Sequence, residues 1–243
     1  MNPLETRTQV QIGGHANTIQ FSQETITKTS LSSEISFYLN LPLKLVPFTP
    51  KLISFSDTSL TLENLTLNFV SPCIIDLKLG TRLYSDIVPD SKKLKMLQTA
   101  IDTTSFLLGI RLVGAQIIHD ESNTDIIVDR DFGKSLNSDT LSSGILKCFT
   151  NSNGNLVSRW VIELILEKLT RIEEIFRELD GFRFYGGSIL IVYEGNVAWT
   201  SEINKNAVVL KLIDFAHSQL DAEGVDVGAL KGIETLKLIL ERL

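Results

Sequence analysis

Between residues 72 and 84 the chain reads PCIIDLKLGTRLY. Ile75, Leu77 and Leu79 alternate with Asp76, Lys78 and Gly80, and a period of two marks a β-strand with one buried face. Such a strand requires a sheet around it, and the alternation places Asp76 and Lys78 together on the face opposite the core. An acid and a base in that arrangement fit a solvated cross-strand ion pair. They also fit a reaction site, and the rest of the chain decides between the two.

With 243 residues, 43% hydrophobic and 21% charged, the chain has enough apolar material for one large domain or two small lobes. A net charge of -6 argues against general attraction to nucleic acid or an anionic membrane, so any anion site has to be local. Cys73 and Cys148 are too few for a disulfide framework and have no histidines at metal-ligand spacing, which suits a reducing compartment. The first 18 residues lack the apolar core of an export signal, and no run approaches a membrane span.

Along the chain, residues 9–29 read as two short strands around Gly13 and Gly14. SSEISFYLNLP reads as a two-turn helix with serine caps, Glu34 at its start, and Ile35, Phe37, Tyr38 and Leu41 on one side. Strands carrying Leu60, Leu62 and Leu65 meet at ENLT. Residues 89–102 form a short helix with Leu94, Leu97 and Ile101 inward and Lys92, Lys93 and Lys95 outward. LLGIRLVGAQIIHD and DIIVDRDFGKSL read as strands, the second ending in a turn at Gly133. Spacings of three and four through Val161, Leu164, Ile165, Leu169, Ile172, Phe176 and Leu179 predict a long amphipathic helix over 158–179. Two apolar strands around 183–195 and 207–218 follow, joined by a loop predicted to be mobile, and a helix with Leu230, Ile233, Leu236 and Leu240 inward closes the chain. The order suits an α+β protein of two lobes.

Asp214 ends the very apolar strand LKLIDFAHS, where an unpaired carboxylate is costly to bury. Phosphoryl transfer from a nucleotide needs a cation on the phosphates, a carboxylate for the metal and a group that positions the acceptor hydroxyl. Lys28 on a strand, Glu34 on the next helix, the ENLT junction, the Asp76 and Lys78 pair, and Asp214 occur in the order a two-lobed kinase uses. The Gly-rich loop and H-R-D triplet of protein kinases are both missing.

The string P-x-x-x-D-x-K-x-G, here Pro72, Asp76, Lys78 and Gly80, resembles the signature of the inositol polyphosphate kinases. QIGGH, DTTSFLLGIRLVGAQ, DFGKSL, GGSILIVYEG and LIDFAHS extend the resemblance over nearly the whole chain, and it is strongest toward the fungal multikinase branch. It implies a two-lobed kinase-like fold with an ATP-binding lobe over 1–65, a catalytic lobe over 66–243 and a helical inositide-binding insertion at about 89–105.

The resemblance implies ATP and Mg2+ as cofactors. Lys28 binds the nucleotide phosphates, Glu34 orients it, and adenine lies against the backbone of Glu63 and Leu65. Asp214 holds magnesium with Ser188, Lys78 bridges the transferred phosphate and the inositide, and Asp76 contacts the ribose or assists the acceptor, two roles left open. Clustered cations suit a ring bearing several phosphates, and Lys92, Lys95, Arg130, Lys134 and His217 are the candidates. Arg82 either touches substrate or pairs with a carboxylate, and His15 and His119 read as ordinary histidines. Two departures from the family pattern are Gly187, where a serine is usual before Ser188, and a missing proline after Lys28.

The expected substrate is a soluble inositol trisphosphate and then tetrakisphosphate, carried towards pentakisphosphate. The alternatives are pyrophosphate formation on inositol hexakisphosphate, or a scaffold for transcription factors. By resemblance the setting is nucleus and cytoplasm, with no nucleic acid bound directly and no membrane anchor.

Overall fold

The computed structural model describes residues 19–118, 126–151, 153–196 and 205–243. The Gly13–Gly14 turn, His15, His119 and most of the loop expected between the last two strands lie outside them. The described chain forms two antiparallel sheets and seven α-helices, one among the strands of the first sheet and six later in the chain.

The first sheet begins with a hairpin, β1 (Ile19–Phe21) and β2 (Thr25–Thr29). The stretch expected as a single strand is folded over at Ser22, whose hydroxyl and amide both meet Thr25. Next come α1 (Ser32–Leu39), a 3-10 segment (Leu43–Phe48), and the hairpin β3 (Leu52–Ser56) and β4 (Ser59–Glu63), giving the order β1-β2-β4-β3. The serines expected to cap α1 do not do so. Leu31 holds the cap position, and the Ser33 hydroxyl instead donates to the Ala216 carbonyl at 2.8 Å, tying the helix to the far end of the chain. Leu65 lies beyond β4, in the segment 64–71 that crosses to the second sheet.

That sheet is ordered β7-β6-β5-β8-β9, with β5 (Pro72–Leu79) at its centre, β6 (Ile110–Ile117) and β7 (Ile126–Val128) on one side, and β8 (Ser188–Glu194) and β9 (Val208–Ile213) on the other. The sequence places β5 there: Ile75, Leu77 and Leu79 are fully buried, and only a central strand has neighbours on both edges. Its buried face meets α7 (Val227–Leu240), with Leu230, Ile233, Leu236 and Leu240 inward as expected. The long helix α6 (Arg159–Glu178) packs on α7 and β9 through Val161, Ile165, Leu169, Ile172 and Phe176.

Two expectations fail in instructive ways. Helix α2 (Asp90–Ile101) forms, but Leu94 and Ile101 are 66% and 51% exposed and only Ala100 is buried, because α2 rests on the short α3 (Thr104–Leu108) and not on the sheet. The strand expected to run to a Gly133 turn ends at Val128. Asp129 then caps α4 (Arg130–Ser135) by accepting from the Phe132 amide at 2.8 Å. Gly133 sits inside that helix, pressed so closely on β6 that an added Cβ would lie 2.0 Å from the Leu112 carbonyl oxygen. A further short helix, α5 (Leu141–Leu146), packs on β6 and α7.

Candidate active site

Asp214 follows β9 directly and is the one described non-glycine residue with a positive φ, at 66°. That conformation costs an L-residue energy, and a strained residue usually marks a site where geometry has been fixed for use. Its neighbour Phe215 is fully buried, stacked on Phe37 of α1 with ring centroids 4.3 Å apart and edge-on to Tyr38 at 5.5 Å. The aromatic contact fixes Asp214 against α1.

On α1, Glu34 is buried and satisfied by three donors: Lys28 Nζ at 2.7 Å and the Phe215 amide at 3.0 Å on one oxygen, and the Ser30 hydroxyl at 2.9 Å on the other. Lys28, on β2, reaches Asp214 Oδ1 at 3.2 Å, while Lys78 Nζ stands 3.7 Å from Asp214 Oδ2 and donates to the Gly186 carbonyl at 2.7 Å. The result is an alternating ladder, Glu34–Lys28–Asp214–Lys78, linking the two sheets. Burial lowers the Lys28 pKa, but Asp214 and Glu34 outweigh it and the net shift is upward. Desolvation raises that of Asp214, yet Lys28 and Lys78 hold it below the ordinary value, and 43% of its side chain remains open to the cleft.

Asp76 and Lys78 do not share a solvated face. Asp76 is 4% exposed, its Oδ1 has no hydrogen-bond partner, and burial pushes its pKa up to about 6 against the pull of Lys78. Ser188, opposite Lys78 on β8, is buried beside it, and its hydroxyl favours the Asp76 carboxylate without closing a hydrogen bond.

The sequence reading missed Arg111. A bulge sets Asp76 opposite Gly114 but Leu77 opposite Leu112, so Val113 is the extra residue on β6 and Arg111 comes opposite Lys78 on the charged face. Arg111 is 5% exposed, its Nη1 has no partner, and its pKa is lowered by burial and by Arg130. A lone charge in the apolar run GIRLVGAQI is the same signal that singled out Asp76. Asn64 was missed as well. Its amide nitrogen donates to the Gln23 carbonyl at 3.1 Å and its oxygen accepts from Thr66, tying the inter-sheet segment to the first hairpin.

Between the sheets lies a cleft walled by Ile19, Ile26, Leu62, Ile74, Leu190 and Ile213, with Glu63 and Leu65 on its lining and Lys28 and Asp214 at its charged end. An apolar slot ending in paired charges suits a flat base with an anionic tail. Among the described residues no group of three His, Cys, Asp or Glu side chains forms a metal cage. One open carboxylate at Asp214, with the unpartnered Ser188 hydroxyl and Asp76 Oδ1 nearby, is a donor set of the kind that holds Mg2+ only together with substrate phosphates.

The structure brings together Lys28, Glu34, Asp76, Lys78, Ser188 and Asp214. His217 is 3.5 Å from the Ser85 hydroxyl, and its pKa is lowered by burial and by Lys92 and Lys78, which places Lys92 within electrostatic reach. Arg130 acts on Arg111 in the same way. Lys95 is exposed on α2 without a side-chain partner among the described residues, and Lys134 makes a long surface pair with Asp131 at 3.9 Å, so neither joins the group.

Residues 59–241 match the family model described as inositol polyphosphate kinase. Inositol hexakisphosphate kinase 3 of Mus musculus is 28% identical over 198 residues, covering 74% of this chain and 50% of its own length. Inositol hexakisphosphate kinase 1 of Saccharomyces cerevisiae is 31% identical over 217 residues, covering 77% of this chain and 20% of its own length. The chain spans about half the length of the mammalian relatives it matches. Among solved structures, the S. cerevisiae inositol phosphate multikinase in complex with ADP and Mn2+ matches 90% of this chain and 98% of its own, with a TM-score of 0.80 at 24% identity. The kinase-like fold is therefore shared, and the family model covers well over half the chain. By its sequence and by its fold, the chain belongs to the inositol polyphosphate kinase family.

Proposed function

We propose that this protein transfers the γ-phosphoryl group of ATP to hydroxyls of a soluble inositol polyphosphate, taking trisphosphate and tetrakisphosphate towards pentakisphosphate. The observation that carries this reading is the Glu34–Lys28–Asp214–Lys78 ladder at the charged end of an apolar cleft, with buried Arg111 opposite Lys78 on the same face. The solved relative with ADP and Mn2+ supports a nucleotide and a divalent ion.

On this reading the first sheet with α1 forms the nucleotide half, residues 1–65, and residues 66–243 carry the acceptor. The base lies in the apolar slot against the backbone of Glu63 and Leu65, and its anionic tail points to Lys28, which Glu34 holds in place. Asp214, with Ser188, holds Mg2+, which supplies charge neutralisation when bound. Lys78 stands between the transferred group and the acceptor, aimed by the Gly186 carbonyl, and stabilises charge that develops between them. Asp76 meets the ribose or the acceptor hydroxyl, and a pKa near 6 suits the second role. Arg111, Lys92, Arg130 and His217 face the acceptor phosphates, with Lys95 and Lys134 further out.

A second reading, pyrophosphate formation on inositol hexakisphosphate, is favoured by the names of the sequence relatives. Anion-exchange product analysis separates the two. The protein is incubated with ATP and Mg2+ and either inositol trisphosphate or inositol hexakisphosphate, beside a Lys78→Ala control. Tetrakis- and pentakisphosphate made only by the wild type support the multikinase. Turnover of hexakisphosphate alone moves the protein to the second reading, and turnover of neither overturns both.

A further inference from the structure

The connector between β5 and α2 carries a contact that the ladder does not explain. The Arg82 guanidinium lies between two tyrosine rings, 4.6 Å from the Tyr84 centroid and 4.5 Å from the Tyr185 centroid. Its Nε donates to the Tyr84 carbonyl at 2.9 Å and its Nη2 pairs with Asp86. Its Nη1 meets the Tyr185 hydroxyl at 3.5 Å, so the guanidinium is packed on two rings with all three nitrogens engaged, which leaves it poorly placed to bind a phosphate itself.

Its engagements join two segments of the site. Tyr185 precedes Gly186, whose carbonyl accepts from Lys78. Gly186 has φ 64°, and an added Cβ there would lie 2.6 Å from the Leu83 carbonyl oxygen, so the 82–86 connector and the 185–187 turn are in close backbone contact. The same connector bears Ser85, next to His217, and leads into α2 with Lys92.

We infer that Arg82 is a positioning residue: stacked between Tyr84 and Tyr185, it locks the β5–α2 connector to the turn that aims Lys78, and so sets the acceptor half of the site. The inference rests on the kinase reading above. A planar guanidinium is needed, because lysine keeps the charge for Asp86 but cannot stack on two rings at once.

The test compares Arg82→Lys, Tyr185→Leu, Tyr185→Phe and the Arg82→Lys/Tyr185→Leu double variant with wild type. Arg82→Lys and Tyr185→Leu are expected to lower kcat/KM for inositol trisphosphate about tenfold. Their affinity for ADP, measured without acceptor, should stay within about twofold of wild type. Tyr185→Phe keeps the ring but gives up the long contact from Arg82 Nη1 to the hydroxyl, so it should lose less than Tyr185→Leu, and the double variant should be no worse than either single one, since both break the same lock. Equal losses of ADP affinity and acceptor turnover, additive effects in the double variant, or an unchanged Arg82→Lys enzyme would each overturn the assignment. Hydrogen exchange at the Val88 amide, which donates to the Ser85 carbonyl on the connector, gives an activity-free reading: it should quicken in Arg82→Lys, and unchanged protection counts against the lock even in a protein that turns over no inositol phosphate.

Discussion

Asp76 is the most expensive charge in the site, because nothing within bonding distance offsets the burial of its Oδ1. With a folded pKa of about 6 against an ordinary 3.8, the native state keeps a proton that the unfolded chain has already released between those values. Stability therefore falls as pH rises through that window and stays lower above it. Asp76→Asn is expected to raise the unfolding free energy by about 3 kcal/mol at pH 7 and by less than about 1 kcal/mol at pH 4, while abolishing turnover. Thermal melts at the two pH values check the first part, and equal or lower melting at pH 7 would refute the pKa assignment. Arg111 makes the mirror case. Replacing a buried cation whose Nη1 makes no hydrogen bond by a shape-matched apolar residue removes a desolvation cost that the nearby Asp76 offsets only in part, so Arg111→Met should gain about 1–3 kcal/mol in denaturant melts and lose acceptor affinity. Gains in stability joined to losses of turnover in both variants would mark the two side chains as held for function, a sharper sign than burial alone.

Among the elements, those whose packing partner is a continuous apolar surface were legible from their period: α6 buries five of the seven residues its spacing selects and leaves Leu164 and Leu179 half-buried, α7 buries all four of its own, and the apolar residues of β5 alternate as written. Helix α2 misled because its apolar residues at Leu94 and Ile101 have no surface to meet, and amphipathicity says only which face is greasy, not what lies opposite. Helix α4 was read as strand because β-branched residues up to Val128 dominate its approach, while the capping bond from Asp129 depends on three-dimensional geometry. Of the site, the ladder could be read from residue types in order; Arg111 could be noticed as a lone charge in an apolar run but not placed, since its face depends on a bulge that no one-dimensional pattern encodes. Gly133 gives the test at this scale. In an isolated helix, glycine to alanine gains about 1 kcal/mol. Here the new Cβ would strike the Leu112 backbone at 2.0 Å, and overpacking against main chain should win, so Gly133→Ala is expected to cost about 3 kcal/mol or more by chemical denaturation. A stabilised variant would mean that α4 is free to shift off β6.

Over the whole molecule, the two sheets meet at a ladder whose four charges cancel, two lysines against two carboxylates. A nucleotide tail entering such a balanced site alone would add only negative charge. The site is therefore expected to favour nucleotide and divalent cation together. ADP with Mg2+ at a hundred times its Kd should stabilise the fold by about 2.7 kcal/mol, and ADP with a chelator by far less. Melting curves with and without the ion distinguish these, and equal stabilisation would show that the ladder opens to accept the bare anion.

The bulge at Val113 also bears on how β6 tolerates a change of length. With the bulge, Arg111 falls opposite Lys78; were Val113 paired in a regular ladder with Gly114 still opposite Asp76, Leu112 would take that place and Arg111 would turn into the apolar layer against α7. The side of the sheet on which this cation stands is thus a matter of parity, odd or even along the strand. No substitution at position 113 alters that count, and deleting Val113 itself would straighten the ladder while leaving Leu112 opposite Leu77 and Arg111 opposite Lys78.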